Sequence, residues 1–355
     1  MTAHFASNNL KLLSTASVLP GPPVSNEELI DALKRHAGAR NARKAQLVTQ
    51  KLQIRSRHLS RSLKTSLSGT RAPDDAPGLC SRAVTDALRS TDRTMAEIDY
   101  LLGHTITPHT LVPPNIAWVA QQLEFSGPFM EIRQACVGFA SALQIAAGMI
   151  GSESAHTIAI VGSETGSPFF DISSKFLDTG QLVNYVQMGD GAAACILTAD
   201  DHSNRHIISD MFSGHIGIDQ SPGFSLKGGG SQNPSCAAGF PVFEHDAASV
   251  RSNGPELFHA GIHAVLERGF RLDEFNWIIP HQANGEIGSL FSKEFRVAEE
   301  KVFVTADTLG NLGSAAIWVS FDRLRRSGKL KQGHRVLILG AEASKYMYGG
   351  FVYQH

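Results

Sequence analysis

Ala135-Cys136-Val137-Gly138-Phe139 opens an apolar helical pattern that leads to a strand ending Ile160-Val161-Gly162-Ser163-Glu164. Gly310-Asn311-Leu312-Gly313 repeats the plan: it opens a helix over 314–324, and the next strand ends Ile338-Leu339-Gly340-Ala341-Glu342. Cys136 precedes Gly162 by 26 positions and Asn311 precedes Gly340 by 29. Two strand-helix-strand units of this kind, facing each other, bring both turns to one central cleft. Chance likeness between buried α/β units is the competing reading.

Around this pair, short apolar runs alternate with longer helical patterns, as in a layered α/β protein. Strands are expected at 158–161, 193–197, 277–279 and 336–339, and helices from near Asn26, Asn115, Cys136, Pro255, Asn284 and Ser314. A chain of 355 residues suits two packed halves, drawn here as 1–200 and 201–355. Apolar residues at 42% against 18% charged exclude a disordered chain. Lys plus Arg (32) nearly cancels Asp plus Glu (33), so no global field favours nucleic acid or an anionic membrane. Four separated cysteines without a C-x-x-C pair argue against zinc and disulfides and for a reducing cytoplasm. No basic and apolar secretion signal opens the chain, and 135–151 is too short and polar for a membrane span, so it reads as a buried helix.

Cys136 stands where the extended Met130-Glu131-Ile132-Arg133-Gln134 meets a helix carrying Val137, Phe139, Ala140, Leu143 and Ala147. A helix N-terminus favours the thiolate, the reactive form; a small hydrophobe in a core helix would look the same. His281 follows the apolar run Trp277-Ile278-Ile279-Pro280, at a strand end where ligands collect. A neutral imidazole there can donate to a thioester oxygen or shuttle a proton. Asn311, in a glycine-rich turn, offers a donor whose charge does not change with pH, apt for an oxyanion, although a plain capping turn has this form too. Gly189-Asp190-Gly191-Ala192 reads as architecture. Lys227-Gly228-Gly229-Gly230-Ser231 is no P-loop, and H-E-x-x-H, G-x-S-x-G and G-x-G-x-x-G are absent from the sequence.

Together, Ala135-Cys136-Val137-Gly138-Phe139, His281-Gln282-Ala283-Asn284 and Gly310-Asn311 resemble the Cys, His and Asn motifs of β-ketoacyl-acyl-carrier-protein synthase III, of the thiolase-like superfamily. Ile54-Arg55-Ser56-Arg57, Glu97-Ile98-Asp99 and Lys331-Gln332-Gly333 fall in register with it. The resemblance implies a five-layered αβαβα fold from two related halves. It also implies a homodimer in which 107–114 walls the neighbouring pocket. By the same resemblance Cys136 takes an acyl group from a thioester, and backbone N–H groups of Cys136 and of Ala343 or Ser344 bind the oxyanion. His281 and Asn311 then polarise a second thioester for Claisen condensation. The substrates are acyl-carrier-protein or coenzyme A thioesters, and no separate cofactor is expected.

Departures from the family pattern point to a secondary-metabolite branch. Leu47 stands where the family carries a tryptophan against the adenine of coenzyme A, and Lys51 where it carries an arginine. Both favour a carrier-bound donor. Gly340-Ala341-Glu342-Ala343-Ser344-Lys345 replaces a glycine-rich run, and Leu312-Gly313 follows Asn311 where Thr or His then Ser is usual. That branch includes enzymes forming dialkylresorcinol precursors and others forming esters, so ester or amide formation stands as an alternative, and a non-catalytic carrier-binding subunit as another. Thr107, Leu111, Phe212 and Phe224 are the expected pocket residues, with 212–243 as a candidate cover. Lys293, Arg296, Arg323 and Arg326 are the expected docking cations, although solvated helix faces look alike.

Overall fold

The computed structural model describes residues 2–66, 74–175, 177–231, 233–235 and 241–355; Cys236 and part of the candidate cover lie outside them. In the first half, β1 (His4–Phe5), β2 (Leu10–Val18) and β3 (Val24–Ser25) lead to α1 (Asn26–Leu52) and β4 (Ser56–Arg57). Then come α2 (Ala76–Leu88), β5 (Tyr100–His104), α3 (Asn115–Gln122), β6 (Phe129–Ile132), α4 (Gly138–Gly151), β7 (Thr157–Glu164), α5 (Thr179–Gln187) and β8 (Gly191–Ala199). The second half holds β9 (Ile207–His215), β10 (Phe224–Lys227), β11 (Val242–His245), α6 (Ala247–Glu267), β12 (Trp277–Pro280) and α7 (Ile287–Phe295). It closes with α8 (Ala306–Leu309), α9 (Ala316–Arg326), β13 (Arg335–Glu342) and β14 (Met347–Gln354).

The main sheet runs β12-β13-β14-β9-β2-β8-β7-β5-β6, with β1 beside β9. Its halves are joined where Leu10 and Lys11 of β2 pair with Ile208 and Ile207 of β9, a two-residue ladder, so it behaves as two five-stranded sheets sharing an edge. Strand alternation sorts the core into layers. Ile158 and Ile160 of β7, with Ile338 of β13, face inward onto α4 and α9, alongside Leu143, Ala146, Trp318 and Phe321. The intervening Ala159 and Val161 face outward onto α2 and α3, and Leu337 and Leu339 outward onto α6 and α7. Helix, sheet, paired central helices, sheet, helix: these are the five layers.

The two central helices are joined by aromatic packing. Trp318 meets Phe139 edge-on at 6.0 Å, and its Nε1 donates to His104 Nε2 at 3.0 Å. Such ring pairs contribute about 0.5–1.5 kcal/mol each beyond the area they bury. On the sheet side close approach is built from small residues: a Cβ placed on Gly349 would lie 2.8 Å from the Ala140 Cβ.

The four expected strands are present, each longer than its apolar core. Helix starts differ more. The helix expected from Pro255 begins at Ala247, because the Asp246 carboxylate accepts the N–H groups of Ala248 and Ser249 at 3.1 and 3.0 Å, and Pro255 lies within it. Asn284 instead caps a turn by accepting the Glu286 N–H at 3.0 Å, and α7 starts at Ile287. Ser314 lies in a short 3-10 turn ahead of α9. Asp190 is architectural, as expected: fully buried, it accepts the N–H groups of Ser60 at 2.6 Å and Ser167 at 3.1 Å. Among the described residues no helix is long and apolar enough to cross a membrane.

Candidate active site

Cys136 lies in the turn between β6 and α4, partly exposed as a residue. Its carbonyl packs over β13, 3.2 Å from where a Cβ on Gly340 would stand, and that Cβ would first meet the Phe139 ring at 2.6 Å, so a side chain at 340 would displace the start of α4. His281 follows β12, which pairs in parallel with β13, and its own N–H donates to the Leu339 carbonyl at 2.7 Å. Cys136 and His281 thus flank Gly340.

The Asn311 turn reaches the same place by two ties. Gln282, next to His281, accepts the Thr305 and Ala306 N–H groups at 2.7 and 3.0 Å and donates to the Phe303 carbonyl at 2.7 Å. That pins the histidine turn to the start of α8, which runs directly into Gly310-Asn311. The Asn311 backbone in turn bonds Gln187 and Gly189 at the end of α5. Its Oδ1 accepts the Gly313 N–H at 3.0 Å, leaving the amide NH2 as the outward donor.

Two buried glutamates complete the site, and neither was assigned a role from sequence. Glu164, at the end of β7, accepts from the Ser314 N–H at 3.0 Å, from the Ser314 hydroxyl at 2.9 Å and from the Thr107 hydroxyl. Glu342, at the end of β13, accepts the Val137 N–H at 3.0 Å and the Ser344 hydroxyl. The only signal in the sequence was their matched position at the ends of the two echoed strands.

Electrostatics correct one expectation. Burial, then the Glu342 and Glu164 carboxylates, push the Cys136 thiol well above its ordinary value, outweighing the helix terminus. The resting residue is therefore a thiol. Burial alone lowers His281 to about 4, so at neutral pH it is an uncharged imidazole, with Nδ1 buried and without a protein partner. Burial raises Glu164 to about 7 against the pull of its hydrogen-bond donors. The set comprises a thiol, a neutral imidazole and an amide, groups suited to acyl transfer with oxyanion support.

The other expected residues separate. Thr107 is buried and braces Glu164 of its own chain. Leu111 is 62% exposed on the loop before α3. Phe212 does not line the cleft: fully buried, its ring packs beside α6 near Gly261 and against Phe5 and Tyr348, on the outer face of the sheet. Phe224 stacks on Phe243 at 5.0 Å, in a β10–β11 hairpin packed on α5. Ala343 and Ser344 follow β13 directly beside Glu342, close to the Cys136 turn. Arg323 and Arg326 lie on the last turn of α9, whose opposite end holds the Asn311 turn; the helical rise puts them about 10 and 15 Å along the axis from its start. Arg326 is also tied to Asp322 at 3.0 Å. Lys293 and Arg296 are exposed, likewise at the far end of α7.

Comparison with known proteins agrees with this arrangement. Residues 130–214 match the profile of 3-oxoacyl-(acyl-carrier-protein) synthase III, and residues 266–354 match that of its C-terminal region. The β-ketoacyl-(acyl-carrier-protein) synthase III of Bordetella petrii is 28% identical over 333 residues, 93% of each chain. Among solved structures, AbyA1, a tetronic acid condensing enzyme, superposes with a TM-score of 0.84 at 24% identity, covering 98% of this chain and 100% of its own. FabH of Pseudomonas aeruginosa PAO1 gives 0.78 at 21%, covering 98% of both. OleA of Xanthomonas campestris gives 0.75 at 18%, covering 99% of both. The chain is therefore similar to β-ketoacyl-acyl-carrier-protein synthase III over nearly its whole length, and its fold is that of the thiolase-like condensing enzymes.

Proposed function

We propose that Cys136 takes an acyl group from a carrier-bound thioester and that His281 and Asn311 activate a second thioester, malonyl or β-ketoacyl, to attack it, forming a carbon–carbon bond. The observation that carries this reading is the convergence of the three turns, through Gly340, Gln282 and Glu164, from three segments far apart in sequence. In the first step the thiol adds to the donor carbonyl while its proton passes to the departing thiol of the carrier. Backbone N–H groups of Cys136 and of the Ala343 or Ser344 turn receive the oxyanion. In the second, a malonyl thioester loses carbon dioxide, or a β-ketoacyl thioester its α-proton, to give an enolate whose oxygen accepts from the neutral imidazole and the Asn311 amide. The enolate carbon attacks the acyl carbonyl, and the Cys136 sulfur leaves and takes up a proton, the α-proton in the β-ketoacyl case and one from solvent after decarboxylation.

Specialised lipid or polyketide synthesis fits better than fatty-acid initiation. Leu47 is 67% exposed on α1 and offers no aromatic face for an adenine. The exposed basic residues Arg40, Arg43, Lys44 and Lys51 on the same helix suit an acidic carrier protein, and the end of that helix meets the histidine turn, where the Leu52 carbonyl accepts the Gly285 N–H at 2.9 Å. A dialkylresorcinol precursor is one product class that such a condensation yields. Challenging the acylated protein with malonyl and β-ketoacyl thioesters, and separately with hydroxyl and amine acceptors, tests the reaction. We expect β-ketoacyl products; ester or amide formed with no thioester nucleophile present would replace this reading with simple acyl transfer.

The working unit is a homodimer in this proposal. β6 is the terminal strand of its sheet and leaves Phe129 and Met130 each 41% exposed, and the neighbouring loop exposes Leu111 and Val112. An unpaired apolar edge calls for cover. Light scattering should give twice the chain mass, falling to the chain mass when Met130→Lys and Phe129→Glu are combined; a wild-type monomer would refute the dimer.

A further inference from the structure

Glu164 and Glu342 cap each other's halves. Glu164 ends a strand of the first half and accepts the N–H of Ser314, in the turn that opens the central helix of the second. Glu342 ends a strand of the second half and accepts the N–H of Val137, in the turn that opens the central helix of the first. Each occupies one of the backbone donors that a helix leaves free at its start. The arrangement is the internal duplication expressed as a crossed pair of contacts, and one of its members touches the residue next to the nucleophile.

We propose that Glu342 is a positioning residue for Cys136: its carboxylate fixes the Cys136-Val137 peptide to β13 and sits at the head of α4, beside the thiol. The geometry is specific. Glu342 is 3% exposed, so its charge is poorly screened. One oxygen holds Val137 and the other is held by the Ser344 hydroxyl. Of the two carboxylates that act on the thiol, Glu342 weighs more than Glu164. Glu164 spends its oxygens on Ser314 and Thr107, and His281 and His104 are both kept neutral by burial. On β6 and just beyond it, Glu131 and Arg133 pair with each other at 3.3 Å. The consequence is a nucleophile shielded from adventitious alkylation and oxidation, which loses its proton only as a bound thioester accepts it.

This inference rests on Cys136 being the nucleophile proposed above, but its test reads the thiol directly. The rate of Cys136 alkylation by iodoacetamide, followed by peptide mass spectrometry at pH values below the thiol midpoint, is proportional to the thiolate fraction and so reports how far that midpoint moves between variants, whether or not the protein accepts acyl groups. Glu342→Gln keeps an oxygen for the Val137 N–H and removes the charge. Its midpoint should fall by about one pH unit, giving roughly tenfold faster alkylation below the midpoint. Ser344→Ala removes a donor that quenches the carboxylate, so its midpoint should rise. Glu342→Leu, which cannot hold the peptide, should slow acylation at least tenfold while Glu342→Gln retains it. A Glu342→Gln midpoint at or above wild type overturns the proposal; if that variant does not fold, an unmoved or lowered midpoint in Ser344→Ala does so.

Discussion

Cys136→Ala is expected to cut product formation by at least about 10⁴-fold, because covalent capture splits the reaction into two steps and no neighbouring group can replace the sulfur. The Ser344 hydroxyl, which follows β13 near the Cys136 turn, is already committed to Glu342. Alanine is smaller than cysteine and the position is partly exposed, so the fold should survive, and a thermal melt by circular dichroism should change little. Turnover measured with saturating donor and nucleophile checks the claim. Residual activity within tenfold of wild type would move the nucleophile elsewhere.

His281→Ala and Asn311→Ala should separate the two half-reactions. Each is expected to lower condensation by about 10²–10³-fold, the usual cost of losing one acid-base or oxyanion donor. Acylation should persist in both, since that step uses the sulfur and backbone N–H groups. The double variant should cost little more than the worse single one, because both donors serve the same oxygen. The pH dependence follows from burial. With His281 lowered to about 4, its protonated form appears only below that value, so from about pH 5 to 7 the condensation rate should show no rise from a titrating imidazole. A midpoint near the ordinary histidine value in single-turnover condensation would mean that the imidazole is not held in the dry site described.

Much of this site was legible because its key residues sit at ends of elements that apolar runs announce. Trp277-Ile278-Ile279-Pro280 had to be a buried strand, which fixed where His281 emerges. The strands β9 and β14 were not legible. Ile207–His215 mixes Ser209, Asp210 and Ser213 into its run, and Met347–Gln354 carries two glycines explained by neighbours remote in sequence, Ala140 against Gly349 and the Ile338 backbone and Phe212 ring against Gly350. Phe212 shows the limit of reading a loop from composition: the residue belongs to a core strand whose partners lie far along the chain. The ionisation of Cys136 was misjudged for the same reason. The helix terminus is a local feature, whereas the carboxylate that opposes it contacts Val137 across 205 positions.

Whether Cys136 becomes esterified is the most direct question that can be put to the protein. Intact-protein mass spectrometry after incubation with a panel of acyl-carrier-protein and acyl-coenzyme A donors answers it. The expected result is one acyl mass added to wild type, mapped to the Cys136 peptide, retained in His281→Ala and absent from Cys136→Ala. An equal mass gain in Cys136→Ala, or none in wild type with any donor, would contradict it.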